Sequence, residues 1–166
     1  MQNPPFERYT PFIIDDEYVF VTNDKRTYAV AFVEQPFFAE EEYAYAQDTY
    51  EVFLRLEKAP PAYGTDPKIG ATVTAIIQDF VSKDSSRIVF FTCDTTDGRQ
   101  LARFRKFSLW FSEFQDGRFG RYDERIINQR TGKTYLIMML LRNDNPNRAD
   151  VILSYFDLTN QLRSQK

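Results

Sequence analysis

One short stretch near the middle of the chain reads Arg87-Ile88-Val89-Phe90-Phe91-Thr92-Cys93. This apolar run is rich in β-branched and aromatic residues, which is typical of a strand buried on both faces. We therefore expect it to lie centrally in a sheet. It continues through a polar turn into a helix predicted from about Arg99 to Phe114. The apolar residues of that helix form a stripe that predicts its buried face, namely Leu101, Phe104, Phe107, Phe111 and Phe114.

The residues before this central strand predict four further strands and a helix. Apolar side chains alternate within the segments 18–20 and 28–32, and a turn-like acidic stretch separates the first of them from the apolar residues 12–14. This pattern predicts three antiparallel strands in a meander. A fourth strand is predicted over residues 50–57, with one buried and one wetter face. Asp66 followed by Pro67 predicts a helix start, because aspartate caps helices and proline suits the first helical position. The helix should end near Ser82, and its predicted core stripe is Ile69, Val73, Ile76, Ile77 and Phe80.

The residues after the helix predicted from Arg99 to Phe114 predict a hairpin and a last helix. Two apolar segments, 119–127 and 133–142, flank a turn-forming stretch at 128–132. Asn145-Pro146-Asn147 then opens a helix whose predicted core side is Val151, Ile152, Tyr155, Phe156, Thr159 and Leu162. We therefore expect a single α+β domain over residues 1–166. Its mostly antiparallel sheet should have about seven strands, with three helices in the order β-β-β-β-α-β-α-β-β-α.

The composition excludes several kinds of active site. The chain has 166 residues with no histidine and one cysteine, Cys93. Catalytic triads that use imidazole, and zinc sites that need several histidines or thiolates, are therefore excluded. Phosphate-binding, dinucleotide-binding and nucleophile-elbow motifs are absent from the sequence, so we expect no cofactor, no metal and no catalytic residue of those classes. The single cysteine and the lack of an export signal or a membrane-spanning run predict a cytoplasmic protein without a membrane association.

Charge is distributed unevenly along the chain. Residues 1–98 contain 8 Lys+Arg and 17 Asp+Glu, whereas residues 99–166 contain 13 basic and 7 acidic residues, so the net charges are −9 and +6. Such asymmetry is typical of a polyanion-binding face, or of two parts that neutralise each other when packed. The acidic, aromatic segment at 37–45 and the aromatic residue Phe53 would expose apolar surface, so a homodimer is a further possible arrangement.

The helix after the central strand carries the strongest functional signal. At 100° per residue, Arg99, Arg103, Lys106 and Trp110 fall in a narrow band, which we place roughly opposite to the phenylalanine stripe. A row of cationic side chains that ends in an indole can bind an acidic protein surface or a nucleic acid. With Arg121 in the hairpin, this band predicts a binding or adaptor domain that engages an acidic partner. The alternative is a nucleic-acid-binding protein in which Trp110, Tyr122 and the arginines supply stacking and phosphate contacts. The simpler interpretation is a solvated helix face whose arginines pair with the acidic N-terminal half.

The turn between the central strand and this helix contains Cys93, Asp94 and Asp97. Unpaired N–H groups at a helix start favour an anion, whereas aspartates at such a position are most often turn and capping residues. A thiolate at Cys93 has no histidine to activate it, although Arg99 and the helix start would lower its pKa. A hydrolase or transferase that uses Asp94 and Asp97 as carboxylates, with a divalent cation, is a further and weaker alternative.

The chain also resembles a family of small bacterial proteins classed as a domain of unknown function. The resemblance rests on a central motif and on two shorter segments, and it covers most of the chain in order. It implies no activity, ligand or catalytic residue. The residues that carry it are Tyr28-Ala29-Val30-Ala31-Phe32, Cys93-Asp94-Thr95-Thr96-Asp97-Gly98-Arg99-Gln100, Ala102-Arg103, Lys106-Phe107, Trp110-Phe111 and Asn145-Pro146.

Overall fold

The structure, a computed structural model, describes residues 6–35, 44–93 and 98–164. The acidic, aromatic segment at 37–45 therefore lies largely outside the described residues. The strands are β1 (Phe12–Ile14), β2 (Glu17–Val21), β3 (Thr27–Glu34), β4 (Thr49–Lys58), β5 (Ile88–Cys93), β6 (Phe119–Ile127) and β7 (Thr134–Arg142). The helices are α1 (Pro67–Ser82), α2 (Gln100–Phe114) and α3 (Arg148–Ser164), and a 3₁₀ helix covers Ala44–Asp48.

The predicted α+β architecture is confirmed, including the order of strands and helices. The seven strands form one sheet in the order β1-β2-β3-β4-β5-β7-β6. Neighbouring strands are antiparallel except β4 and β5, which are parallel. Helix α1 is the crossover between these two strands, as a parallel connection requires. None of the helices in the described part of the chain has the length and apolar character that crossing a bilayer requires.

The sheet separates two apolar layers. On one face α1 and α2 cover a core that includes Phe20, Val73 and Val89. On the other face α3 covers a second core that includes Phe90 and Tyr155. Alternate residues of β5 enter opposite layers, and its first four residues are all buried, so the prediction of a strand buried on both faces is confirmed. Complete burial of one such side chain contributes about 1.5–3 kcal/mol to stability.

Helix α1 begins where the sequence predicts. Asp66 is the N-cap, its carboxylate accepts the Lys68 N–H at 3.0 Å, and Pro67 occupies the first helical turn. The carboxylate thereby satisfies one of the backbone donors that a helix start leaves unpaired. The predicted apolar stripe is buried at Ile69, Val73 and Ile76, so the start, end and core face of α1 are all confirmed.

Two predicted core residues are in fact exposed. Leu101 is 45% exposed, because it lies in the first turn of α2, and in α2 complete burial is reached only at Phe111. Phe156 is 38% exposed at the edge of α3, where its ring meets Tyr122 edge-on at 6.4 Å between centroids. The side chain of Leu162 lies outside the described part of the chain.

Candidate functional site

The basic helix borders a large cleft. The cleft has a volume of about 1370 Å³ and lies between α2, the second half of β4 and the loop that precedes α1. Its apolar walls come mainly from the sheet and its cations from α2 and from the turn before β3. The lining residues used below are Arg26, Tyr28, Val52, Phe53, Leu54, Leu56, Tyr63, Asp66, Thr92, Cys93, Arg99, Arg103, Lys106 and Trp110.

The cleft is an opening in the sheet itself. β4 pairs with β5 only over Thr49–Glu51, after which the two strands have no further paired residues. Leu54 packs on the α1 side of the sheet, whereas Phe53 must point to the opposite side because successive residues of a strand alternate. Both residues line the cleft. The opening therefore passes between the strands, at the carboxyl ends of the single parallel pair in the described sheet, where open α/β sheets commonly bind ligands.

Arg26 is a buried cation on the wall of this cleft. It is 4% exposed, and its backbone N–H donates to Thr22 Oγ1 at 3.0 Å in the turn between β2 and β3. Its Nε donates to Asp24 Oδ1 at 3.0 Å, and this hydrogen bond is the largest reason that the pKa of Asp24 is lowered. The guanidinium lies 4.7 Å from the centre of the Tyr63 ring.

One nitrogen of this guanidinium is poorly satisfied. Nη2 lies 2.9 Å from Asp24 Oδ2, yet it is buried without a hydrogen bond of acceptable geometry among the described residues. Arg26 Nη2 and Asp24 Oδ2 form an ion pair, because Coulomb attraction requires only that the two charges are close. A hydrogen bond would also require that the N–H points at the oxygen. From the sequence, residues 23–26 were interpreted only as a turn, so Arg26 was not predicted as a residue of the site.

Trp110 is part of the packing between helices. Its indole lies directly over Gly70 of α1 and meets the ring of Phe107 edge-on, with 5.5 Å between centroids. The band formed by Arg99, Arg103, Lys106 and Trp110 is thus beside the phenylalanine stripe, so its predicted position opposite the core is wrong. At 100° per residue the band and the stripe are separated by about a quarter to a third of a turn.

Lys106 lies over the indole of Trp110, and both residues line the cleft. Its ammonium lies 4.8 Å from the centre of the Trp110 ring, a cation–π distance. The pKa of Lys106 is lowered, first because its surroundings desolvate the ammonium and second because the positive charge of Arg26 is close. The second cause favours an anion at this place, since a negative charge would offset the repulsion between the two cations.

The remaining predicted residues divide between the cleft and other places. Cys93 is buried on the cleft wall, and burial raises its pKa to about 11 despite the opposing charge of Arg103, so a reactive thiolate at neutral pH is not supported. Arg121 lies away from the cleft, where it donates to the Ser108 carbonyl at 3.0 Å and pairs with Asp123 at 3.2 Å. Asp94 and Asp97 lie outside the described residues, and the N-cap of α2 is Arg99, which makes no side-chain capping bond.

Comparison with known families gives a match over the part of the chain that contains α1, β5 and α2. Residues 65–157 match the family of unknown function (DUF6169), which is more than half of the chain. The chain belongs to this family. The DUF6169 segment includes α1, β5 and α2, and it begins after β3 and β4, so Tyr28–Phe32 lie before it. The resemblance to a family of unknown function is thus confirmed over this segment. No curated protein matches the chain.

Proposed function

We propose that this protein is a non-enzymatic binding domain, an adaptor that holds an acidic segment of a partner protein in the cleft beside α2. The convergence of cations carries the proposal. Arg99, Arg103 and Lys106 line the cleft with Arg26, whose charge Asp24 partly offsets, whereas Asp66 is the one carboxylate among the described lining residues. Both oxygens of that carboxylate are already used, because Oδ1 accepts the Lys68 N–H and Oδ2 accepts the Tyr9 hydroxyl at 2.5 Å.

The concave shape of the cleft strengthens the electrostatic field of these cations. Low-dielectric walls focus the field of cationic groups, which raises the local concentration of an anionic partner and its rate of association. The apolar floor at Val52, Leu54 and Leu56 also provides contact area for the uncharged part of a ligand. Charge and apolar surface together favour a partner that has both carboxylates and apolar side chains.

The two aromatic residues expected to stack on bases are engaged within the protein, so they give the nucleic-acid alternative no support. A base-stacking role requires an exposed ring face, but the indole of Trp110 packs on Gly70. Tyr122 is engaged on the opposite side of the sheet, where its hydroxyl accepts from Arg148 at 2.8 Å and its ring meets Phe156. The two rings that the nucleic-acid alternative needs are thus both used in internal packing.

A capture experiment with charge-matched variants tests the proposal. The tagged chain is used to capture partners from native extract at low and high salt, with and without nuclease. We expect a stoichiometric protein that survives nuclease and is lost with Arg103→Glu plus Lys106→Glu. The control is Arg105→Glu plus Arg130→Glu, which changes the net charge equally at exposed residues that do not line the cleft. Equal loss with both pairs, or recovery of nucleic acid alone, would overturn it.

A further inference from the structure

The second half of β4 presents an unpaired edge inside the sheet. β4 continues to Lys58 and pairs with β3 along this length, but on its other side it has left β5 after Glu51. No other strand of the described sheet pairs with β4 beyond that point. An open strand edge is a row of backbone donors and acceptors that is ready to pair with another extended segment.

The hydrogen-bond phase identifies which residues form this edge. The Gln35 N–H donates to the Thr49 carbonyl at 2.9 Å, so Thr49 belongs to a hydrogen-bonded pair with the β3 side. In an antiparallel ladder such pairs alternate, which directs the backbone groups of Phe53 and Arg55 towards β3. The C=O group of Val52 and the N–H and C=O groups of Leu54 and Leu56 must therefore point into the opening, since the Val52 N–H belongs to the last pair with β5.

The surroundings of the opening determine the chemistry of a segment that enters it. Arg103, Lys106 and Arg26 lie on the α2 side, whereas Phe53 and Thr92 point to the other side. Side chains of an extended segment alternate between these two sides. The matching segment has carboxylates at every second position and apolar or β-branched residues between them.

We propose that the acidic partner binds as an extended segment that adds to the open edge of β4 between β4 and β5. The backbone of Leu54 and Leu56 provides hydrogen bonds, and the cations on the α2 side select alternate carboxylates. This mode of strand addition combines main-chain affinity with side-chain specificity. It rests on the proposed function and specifies how the same cleft receives its partner.

Amide hydrogen exchange of the full-length protein tests the edge directly. In the free protein the amides of Leu54 and Leu56 should exchange about tenfold or more faster than those of Phe53 and Arg55, which β3 protects. The probe acetyl-Glu-Val-Glu-Val-Glu-Val-Glu-amide should then slow exchange at Leu54 and Leu56 by about tenfold at saturation. A probe with lysine in place of glutamate should leave both rates unchanged.

A backbone variant separates strand pairing from side-chain contact. Leu54→Pro removes the N–H that points into the opening, whereas Leu54→Ala shortens the side chain and keeps that donor. We expect Leu54→Pro to weaken probe binding about tenfold or more, and Leu54→Ala to weaken it about threefold or less. If Leu54→Pro does not fold, two probes, one N-methylated at the valines and one at the glutamates, make the same comparison on the wild-type protein, because one of these two sets of N–H groups faces β4. At least one of them should bind about tenfold or more weakly.

The outcomes distinguish this inference from the proposed function. Slow exchange of Leu54 and Leu56 in the free protein would show that the edge is closed and would overturn the inference. Failure of the probe to bind, or binding without protection of these amides, would overturn it as well. In either case a captured protein that depends on Arg103 and Lys106 would leave the proposed function standing. Loss of that dependence would overturn both.

Discussion

Trp110 covers Gly70 so closely that a β-carbon at residue 70 would lie 2.3 Å from the indole Cδ1. Real side chains do not approach to this distance, so the absence of a side chain at Gly70 sets the contact between α1 and α2. The same contact holds the indole beside Lys106 and so fixes one wall of the cleft.

Gly70→Ala should destabilise the protein although alanine is the better helix former. The propensity gain is about 1 kcal/mol in a helix interior, whereas forcing a methyl group into a packed contact costs about 1–3 kcal/mol. We expect a net loss of up to about 2 kcal/mol in the free energy of unfolding, measured in urea. Gly64→Ala is the control, since nothing lies within 4 Å of a β-carbon there. Stabilisation by Gly70→Ala would contradict this packing.

Asp66→Ala should destabilise α1 and the N-terminal segment together. The carboxylate caps α1 through the Lys68 N–H and accepts the Tyr9 hydroxyl. Loss of a cap costs about 1 kcal/mol, and the lost Tyr9 bond adds about 0.5–1.5 kcal/mol. Asp66→Asn keeps a capping oxygen and should cost less. Thermal or urea unfolding of both variants measures the difference, and equal losses would show that the cap does not determine the effect.

Cys93 should react slowly with iodoacetamide at neutral pH. Burial raises its pKa to about 11, and only the thiolate is nucleophilic. Because the folded-state pKa is raised, the rate should keep increasing with pH, about tenfold per pH unit, until pH approaches that value. The urea-unfolded chain is the control, and its rate should level off near pH 8.5, the ordinary value for a thiol. A plateau at that pH in the folded protein would contradict the assignment.

Tyr155→Phe should weaken the packing of α3 on the sheet. Tyr155 is fully buried, and its hydroxyl lies 3.2 Å from the Tyr122 carbonyl and 3.3 Å from the Ile137 carbonyl. Removing the donor should cost about 1 kcal/mol in the free energy of unfolding. Tyr135→Phe, at a residue that is 41% exposed, should change it by less than about 0.5 kcal/mol. Equal effects at the two residues would argue against a buried hydrogen bond.

Local signals were enough to predict most of the fold. The N-cap and stripe of α1, the apolar run of β5 and the hairpin of β6 and β7 are each specified by neighbouring residues, and each appears within a residue or two of its predicted bounds. The strand order and the separation of β4 from β5 depend on contacts between distant residues. No local pattern specifies such contacts, so the sequence reading did not predict the opening.

The site was predicted only in part for the same reason. The α2 cations were visible because they recur on one helix, and Arg99, Arg103 and Lys106 do line the cleft. Arg26 was not visible, since a turn arginine is normally solvated and its burial depends on Tyr63 and Asp24. Trp110 was assigned to a free face because its band was placed opposite the phenylalanine stripe, whereas at 100° per residue the band lies only about a quarter to a third of a turn from it. The seat of the indole on Gly70 of α1 depends on packing between two helices, which no local pattern specifies.

Photo-crosslinking from within the cleft tests the central claim most directly. A photoreactive amino acid replaces Leu56, which lines the cleft and is 41% exposed, or Leu109, which is 67% exposed on α2 and does not line it. We predict that residue 56 crosslinks the captured partner protein, that residue 109 does not, and that Lys106→Glu abolishes the crosslink. A crosslink from residue 109 with none from residue 56 would contradict the proposal that the cleft receives the partner.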